Sequence, residues 1–419
     1  EAAGAWGAKD ARERADYLLR AADIMVRRRF ELAAWMVFEE SKTWVEAVAD
    51  VDESIDFLND YAYQAVHLEA QDRERNLPDW ERQSYGVVGV IAPWNFPLAI
   101  LTGMTVGAIA AGNTVVLKPA EQSSVVAAKF MEVLQEADLP PGVVNYLPGV
   151  GEEVGQYLVR HQDVDMIAFT GSRDVGEQIY RDAQVGNRAV PKKVIAEMGG
   201  KNAIIVSDSA DIDEAVRAIV SSAFSYGGQK CSAASRVIVH AAVYDEFVKR
   251  LVGKVETLTV GDPRDPGTDM GALIDEAAVM KVKRFLKMAE DGKAGMEILN
   301  EQAQLPTDVT GTFVSPVVVA VTDPWSPLAQ EEIFGPVLSV MKANSFDEAL
   351  EIANNTPYAL TGGLFSQSPS ELERAKSEFR VGNLYLNRAI THAVPDRHPF
   401  GGLGRHSGDA NAGGPDYVA

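Results

Sequence analysis

The 419-residue chain is long enough for two or three domains, each with its own core, and its 46% hydrophobic and 24% charged residues are ordinary globular values. Sixty acidic against 39 basic residues give a formal charge of −21, which excludes nucleic acid or an anionic membrane surface as an expected partner. No apolar run approaches the ~18 residues of a membrane span. The single cysteine, Cys231, allows no internal disulfide and no Cys–Cys zinc site, and fits a reducing, cytoplasmic setting. The chain opens at Glu1 and stops at Ala419 with no closing element, so a piece of a longer protein is expected.

Leu18, Ala22, Met25, Leu32 and Met36, and then Trp44, Val48, Ile55 and Leu58, recur at helical spacing, so residues 10–66 read as helices. Residues 67–84 change character. The stretch 69–80 is charged, holds one proline and shows little periodicity, and reads as a surface excursion, either a plain loop or an arm toward another subunit. From Gly86 strands and helices alternate. Apolar strand runs at 86–92, 114–118, 143–147 and 165–169 are separated by predicted helices at 98–111, 123–137 and 152–159. The last run is followed by a helix at 173–183, with Ser172 as its N-cap. This pattern is a parallel sheet covered on both faces, a doubly wound α/β domain whose ligands sit at the carboxyl ends of the strands. A second α/β block follows Cys231, with strands near 314–321, 336–340 and 360–365 and helices at 243–258, 346–353 and 370–379. The two blocks meet near residues 197–203, and neither repeats nor low-complexity segments interrupt them.

Cys231 lies on a glycine-rich connection between a predicted helix at 211–220 and a strand at 236–239. A free cysteine is most often an inert buried filler. Here Gly227 and Gly228 permit close backbone approach, and Lys230 and Arg236 supply charge that would favour a thiolate, so a nucleophile is the better reading. Pro93 and Pro97 fix a turn that holds Asn95 at the mouth of the first sheet, where its amide can donate to a developing oxyanion or merely satisfy turn backbone. Lys118 and Glu121 follow a strand and can chelate the two hydroxyls of an adenosine ribose, or stand as solvated loop charges. Gly171 and Ser172 open a helix whose N-terminus suits a pyrophosphate. Glu197 ends an apolar strand beside two glycines and is either a general base or an ion-pair partner of Lys201. Glu332 and Phe334 offer a second ribose and ring contact. The six histidines show no metal-ligand spacing, so no metal is expected, and His392, His398 and His406 read as loop residues.

Seven motifs in this order, at 93–97, 118–121, 169–172, 197–200, 228–231, 331–336 and 399–402, together resemble the aldehyde dehydrogenase superfamily over nearly the whole chain. The resemblance implies an α/β fold with a Rossmann-type NAD-binding domain (1–66 and 85–198) and a second α/β catalytic domain (199–398). Residues 67–84 would be part of an oligomerisation arm, and 399–419 a truncated return segment. It also implies NAD as cofactor, a small-molecule aldehyde as substrate, and a homodimer or larger homo-oligomer. In that family pattern Cys231 attacks the aldehyde, Asn95 and the Cys231 N–H hold the oxyanion, and Glu197 activates the water that hydrolyses the thioester. Lys118 and Glu121 would hold the adenosine ribose, Gly171 and Ser172 the pyrophosphate, and Trp94, Glu332 and Phe334 the nicotinamide end. The stretches 228–236, 381–388 and 412–417 are most similar to the branch acting on L-glutamate γ-semialdehyde. There the serine after the cysteine and a Gly-Ala or Gly-Ser pair bind the substrate's α-carboxylate. Ser232 matches, and the pair falls on His392 and Ala393, with histidine in place of glycine. Three other readings stand beside this one. An enzyme of broader aldehyde specificity is favoured by His392; a CoA-acylating enzyme is opposed by Glu197; a non-catalytic protein of the same fold is opposed by Cys231, Asn95 and Glu197.

Overall fold

The apolar spacing of the first residues folds into four helices, Ala2–Gly7, Ala11–Arg27, Arg29–Glu39 and Trp44–Glu74. Asp10 starts the second with a capping box, its carboxylate accepting the Glu13 N–H at 2.7 Å while the Glu13 side chain accepts from the Asp10 N–H. The fourth helix runs eight residues into the stretch expected to be an excursion. Its last turns lack an apolar period but carry helical pairs four apart, Arg73 on Glu69 and Gln71 on His67, and Glu69 also accepts the Ala11 N–H at 2.8 Å. In this computed structural model residues 1–74, 82–185, 190–291, 295–403 and 411–419 are described. The middle of the expected arm, part of the expected return segment, and His406 lie outside the described residues.

Five strands build the first sheet: β1 (Val87–Ile91), β2 (Thr114–Lys118), β3 (Val144–Tyr146), β4 (Met166–Thr170) and β5 (Lys193–Glu197). They are all parallel, in the order β3-β2-β1-β4-β5. Their apolar runs are buried because both faces are covered. Helices Ala99–Ala110 and Ser124–Glu136 and the N-terminal helices pack on one face, and Gln156–Arg160 and Arg173–Asp182 on the other. Strand order reverses at β1, so the crevice between the ends of β1 and β4 is the switch point where such sheets take ligands.

The second sheet has seven strands: β6 (Asn202–Val206), β7 (Ala234–His240), β8 (Met296–Ile298), β9 (Val317–Val321), β10 (Val337–Ala343), β11 (Thr361–Phe365) and β12 (Asn383–Leu386). The order is β12-β11-β6-β7-β10-β9-β8, parallel except for the β8–β9 pair. Helices Ile212–Phe224 and Tyr244–Val255 cover one face, and Glu276–Glu290, Phe346–Asn354 and Pro369–Glu378 the other. Among the described residues no helix is long and apolar enough to cross a membrane.

The chain passes between the sheets through the short link Met198–Lys201, from the end of β5 to the start of β6. The carboxyl edge of the first sheet therefore faces the amino edge of the second. Asn95, Lys118, Ser172 and Glu197 follow strands of the first sheet, as expected. Cys231 and Glu332 instead precede strands β7 and β10 of the second.

Candidate active site

The helix Ile212–Phe224 is N-capped by Asp211, which accepts the Glu214 N–H at 3.0 Å. Beyond its end, Tyr226, Gly227 and Gly228 take left-handed backbone, with φ of 53°, 61° and 69°. Glycine is required at 228, since a Cβ there would lie 2.6 Å from the Gly335 carbonyl oxygen and 2.9 Å from that of Ala223. The loop leading to Cys231 thus touches the 331–336 turn backbone to backbone. Tyr226 is held in its conformation from behind: its hydroxyl donates to the Glu40 carbonyl at 3.1 Å, and the buried Lys42 ammonium lies 4.7 Å from its ring centroid.

Cys231 follows, partly exposed. Its carbonyl accepts from the Asn202 amide at 2.7 Å. The same amide nitrogen donates to Ala233 O at 2.9 Å, and Asn202 Oδ1 accepts the Thr361 N–H at 3.0 Å. One buried amide therefore ties Cys231 to strands β7 and β11. A Cβ on Gly200 would come within 2.5 Å of the Cys231 carbonyl, so the link after Glu197 can pack on the nucleophile only as glycine. Asn95 is buried and donates one amide proton to Gln229 O at 3.0 Å. The Gln229 side chain is itself fixed by the Ile274 N–H at 2.9 Å.

Burial pushes the Cys231 thiol up to about 12, with the carboxylates of Glu197 and Glu332 adding to the effect and the Ser232 N–H opposing it. The expected help from Lys230 and Arg236 does not arise. Lys230 is buried in an ion pair with Glu46 at 2.5 Å. Arg236 donates to the carbonyls of Lys201, Ile352 and Ala353 at 2.9–3.0 Å, closing the end of the helix Phe346–Asn354. Neither cation is free to face the sulfur.

Glu197 is buried at the end of β5, and its carbonyl accepts the Gly171 N–H at 3.1 Å. The alternative of an ion pair with Lys201 is not seen, because the Lys201 ammonium is fully buried without a hydrogen-bond partner.

Lys118 and Glu121 pair at 3.0 Å at the end of β2. Burial pushes the Glu121 carboxyl up, but Lys118 and backbone N–H groups, including that of Gly151, hold it below its ordinary value. Ser172 caps the helix Arg173–Asp182 by accepting the Val175 N–H at 3.5 Å. Glu332 accepts the Gly200 N–H at 2.9 Å. Burial pushes its carboxyl up, against Gly200, Lys281, Lys201 and Arg173. Trp94 stands edge-on to Phe334, with centroids 5.5 Å apart and planes at 89°. Two carboxylates suited to vicinal hydroxyls, a helix N-terminus suited to a diphosphate and an aromatic pair make a donor set that fits a dinucleotide.

On the substrate side, Ser232 is buried and its carbonyl accepts from Thr361 Oγ1 at 3.4 Å. His392 is exposed, with φ of 66°, and its Nδ1 lies 3.0 Å from Thr391 Oγ1; Ala393 follows, half-buried. Although the residue as a whole is exposed, desolvation of its ring by the side chains around it, with Lys230, Arg388 and Lys42 outweighing Glu46, lowers the imidazole from its ordinary value. The left-handed backbone of His392 is the one a glycine favours, so the turn survives the histidine.

Composition of the helix Trp44–Glu74 concealed three further site residues. Glu46, Asp50 and Glu53 share one face, at spacings of four and three. Glu46 holds Lys230. Asp50 holds Lys42 at 2.6 Å, and its other oxygen accepts the Ala99 N–H at 2.6 Å. Glu53 forms no hydrogen bond or ion pair among the described residues. Burial, with Asp50 beside it, pushes its carboxyl up to about 8, and it is among the groups that raise Cys231 and Tyr385. Carboxylates spaced along an otherwise buried helix face were the available signal.

A profile described as "Aldehyde dehydrogenase family" matches residues 1–419. The chain is 46% identical over 426 residues to "1-pyrroline-5-carboxylate dehydrogenase 1" of Halalkalibacterium halodurans, spanning all of this chain and 82% of that protein. Among solved structures, it is similar to a 1-pyrroline-5-carboxylate dehydrogenase from Thermus with bound NAD, at a TM-score of 0.93 and 43% identity, covering 100% of this chain and 81% of that one. It is also similar to proline utilization A from Bdellovibrio bacteriovorus, with a TM-score of 0.93 and 45% identity; all of this chain matches 44% of that longer one.

Proposed function

Because this chain belongs to the aldehyde dehydrogenase family, we propose that it oxidises L-glutamate γ-semialdehyde to L-glutamate with NAD, as a step in proline catabolism. The observation that carries the reading is the convergence of Cys231, Asn95 and Glu197 where the two sheets meet. The similarity to 1-pyrroline-5-carboxylate dehydrogenases supports the substrate.

The thiol is protonated in the free enzyme, so its proton must leave before attack. Glu197, the strongest charge acting on the sulfur, is the base available to take it. Cys231 Sγ then adds to the aldehyde carbon, and the carbonyl electron pair moves to oxygen. Asn95 uses one amide proton on Gln229 and keeps the other for that oxyanion, beside the Cys231 N–H. NAD, when bound, supplies the hydride acceptor that converts the hemithioacetal into a thioester. Trp94, Lys118, Glu121, Gly171, Ser172, Glu332 and Phe334 would hold it. Glu197, after passing the thiol proton on to solvent, takes a proton from water, which attacks the thioester carbon; the C–S bond breaks and the thiolate leaves.

The far end of this substrate carries a carboxylate and an ammonium. Ser232 and the backbone at Ala393 are the carboxylate contacts in this reading, with His392 beside them. Glu53, which makes no hydrogen bond or ion pair among the described residues, suits the ammonium, whose charge would favour its ionised form. Assembly into a homodimer or larger oligomer through residues 67–84 belongs to the same reading, and sedimentation tests it.

NADH formation from glutamate semialdehyde and from an uncharged aldehyde of equal length tests the substrate. A preference for the charged compound, reduced in Glu53→Gln through a higher KM, is expected. Equal efficiency on both would refute the assignment.

A further inference from the structure

Lys201 has no role in the chemistry above, yet its ammonium is one of the most deeply buried charges in the molecule. The side chain is about 1% exposed, and among the described residues its nitrogen has no hydrogen-bond partner. An ammonium left so is expensive unless it loses its proton or gains a counter-charge. A cavity of about 10 Å³ lined by Lys201, Asn202, Arg236, Tyr358 and Thr361 lies beside it. That is near the lower limit for one water, which would give an acceptor but no negative charge.

The charged groups facing Lys201 come from three elements. Arg236, on β7, repels it and is committed to three carbonyls. Lys281, on the helix Glu276–Glu290, also repels it. Glu332 and Glu331, on the turn before β10, attract it, but Glu331 is largely exposed and lies near Arg284. Glu332 is the remaining carboxylate, and it sits on the Gly200 N–H, one residue before Lys201. The two opposite charges are anchored on the same turn.

We propose that Lys201 is a positioning residue for Glu332: its buried ammonium is the counter-charge that keeps this carboxylate ionised on the Gly200 N–H, ready to accept ribose hydroxyls of NAD. The inference rests on the reading of Glu332 as a coenzyme contact. The protonation balance agrees with it. Burial and Arg236 pull the ammonium down to about 7 while Glu332 pulls it up, and burial pushes Glu332 above its ordinary value while Lys201 opposes. Below about pH 7 the lysine is charged, which is the range in which Glu332 needs protection from protonation. Without it, Glu332 should take up a proton as pH falls and lose its acceptor character.

The test is NAD binding by titration calorimetry at pH 8 and pH 6, in wild type, Lys201→Met, Lys201→Gln and Glu332→Gln, with a thermal melt of each. Both lysine variants should match wild type at pH 8 and bind roughly five- to tenfold more weakly at pH 6. The melts check that every variant is folded at both pH values. Lysine variants whose affinity changes with pH as wild type does would overturn the proposal. Lys201→Gln alone behaving as wild type would also overturn it, by showing that a neutral donor suffices. If Glu332→Gln leaves NAD affinity untouched at both pH values, the coenzyme role of Glu332 fails instead, which separates the two claims.

Discussion

The Asn95 amide donates to the carbonyl oxygen of Gln229 at 3.0 Å, two residues ahead of Cys231. The proposed oxyanion donor and the loop carrying the proposed nucleophile are thereby one unit, although they come from different sheets. Asn95→Ala should lower kcat by roughly 10²–10³-fold, the usual cost of one oxyanion donor. It should also lower stability by about 1 kcal/mol for the lost hydrogen bond. NAD binding should persist. Steady-state kinetics beside a denaturant melt checks this, and turnover within threefold of wild type would exclude the oxyanion role.

Cys231→Ala should abolish turnover and keep coenzyme binding. Glu197→Gln should release one equivalent of NADH per site and then stall as the thioester, provided the thiol can still lose its proton to solvent at raised pH. Rapid-mixing absorbance at pH 9 separates burst from steady state. Sustained turnover by either variant would remove that residue from the mechanism.

Coenzyme choice should follow Glu121. Its carboxylate, held ionised beside Lys118 at 3.0 Å, would repel a 2′-phosphate. A like-charge contact in a partly desolvated site costs on the order of 1–3 kcal/mol, or roughly ten- to a hundredfold. Wild type should favour NAD over NADP by such a factor, and Glu121→Gln should narrow it. Equal catalytic efficiency with both coenzymes in wild type would contradict the ribose contact.

His392 carries a φ of 66° in a turn that suits glycine. His392→Gly should relieve that strain and stabilise the fold by about 0.5–1 kcal/mol, less the entropy glycine adds to the unfolded chain. Because Ser232 and the Ala393 backbone are the assigned carboxylate contacts, loss of the ring should leave the preference for a carboxylate-bearing substrate intact and widen tolerance for bulkier aldehydes. A substrate series on both proteins decides. A carboxylate preference that vanishes in His392→Gly would assign the charge recognition to the imidazole.

Much of the first sheet was legible because parallel strands buried on both faces must be unbroken apolar runs, and β1, β2, β4 and their helices came within a residue or two of their predicted limits. β8 and β12 span three and four residues, too few for a period to show. The helix Glu276–Glu290 was missed although Asp275 caps it and Val279, Val282, Phe285, Leu286 and Ala289 mark its buried face. At the site, residue types pointed to Cys231, Asn95, Glu332 and Glu121, since each stands on a turn whose glycines or prolines are visible in the sequence. The electrostatics were not legible. Lys230 and Arg236 stand close to Cys231 in the chain, yet Glu46 and three carbonyls claim them, from segments 184 and up to 117 residues away.

The hydroxyl of Tyr226 donates to the carbonyl of Glu40 across 186 residues of chain. It braces the loop that carries Cys231, so the proposed site closes only after the N-terminal helices have docked against a segment made much later by the ribosome. Contacts of such long range bear the greatest loop-closure cost and form late. In refolding from denaturant, helical circular dichroism should therefore return before catalytic competence. Tyr226→Phe should lengthen that lag more than it alters the final specific activity; simultaneous return of both signals would show that the brace forms early.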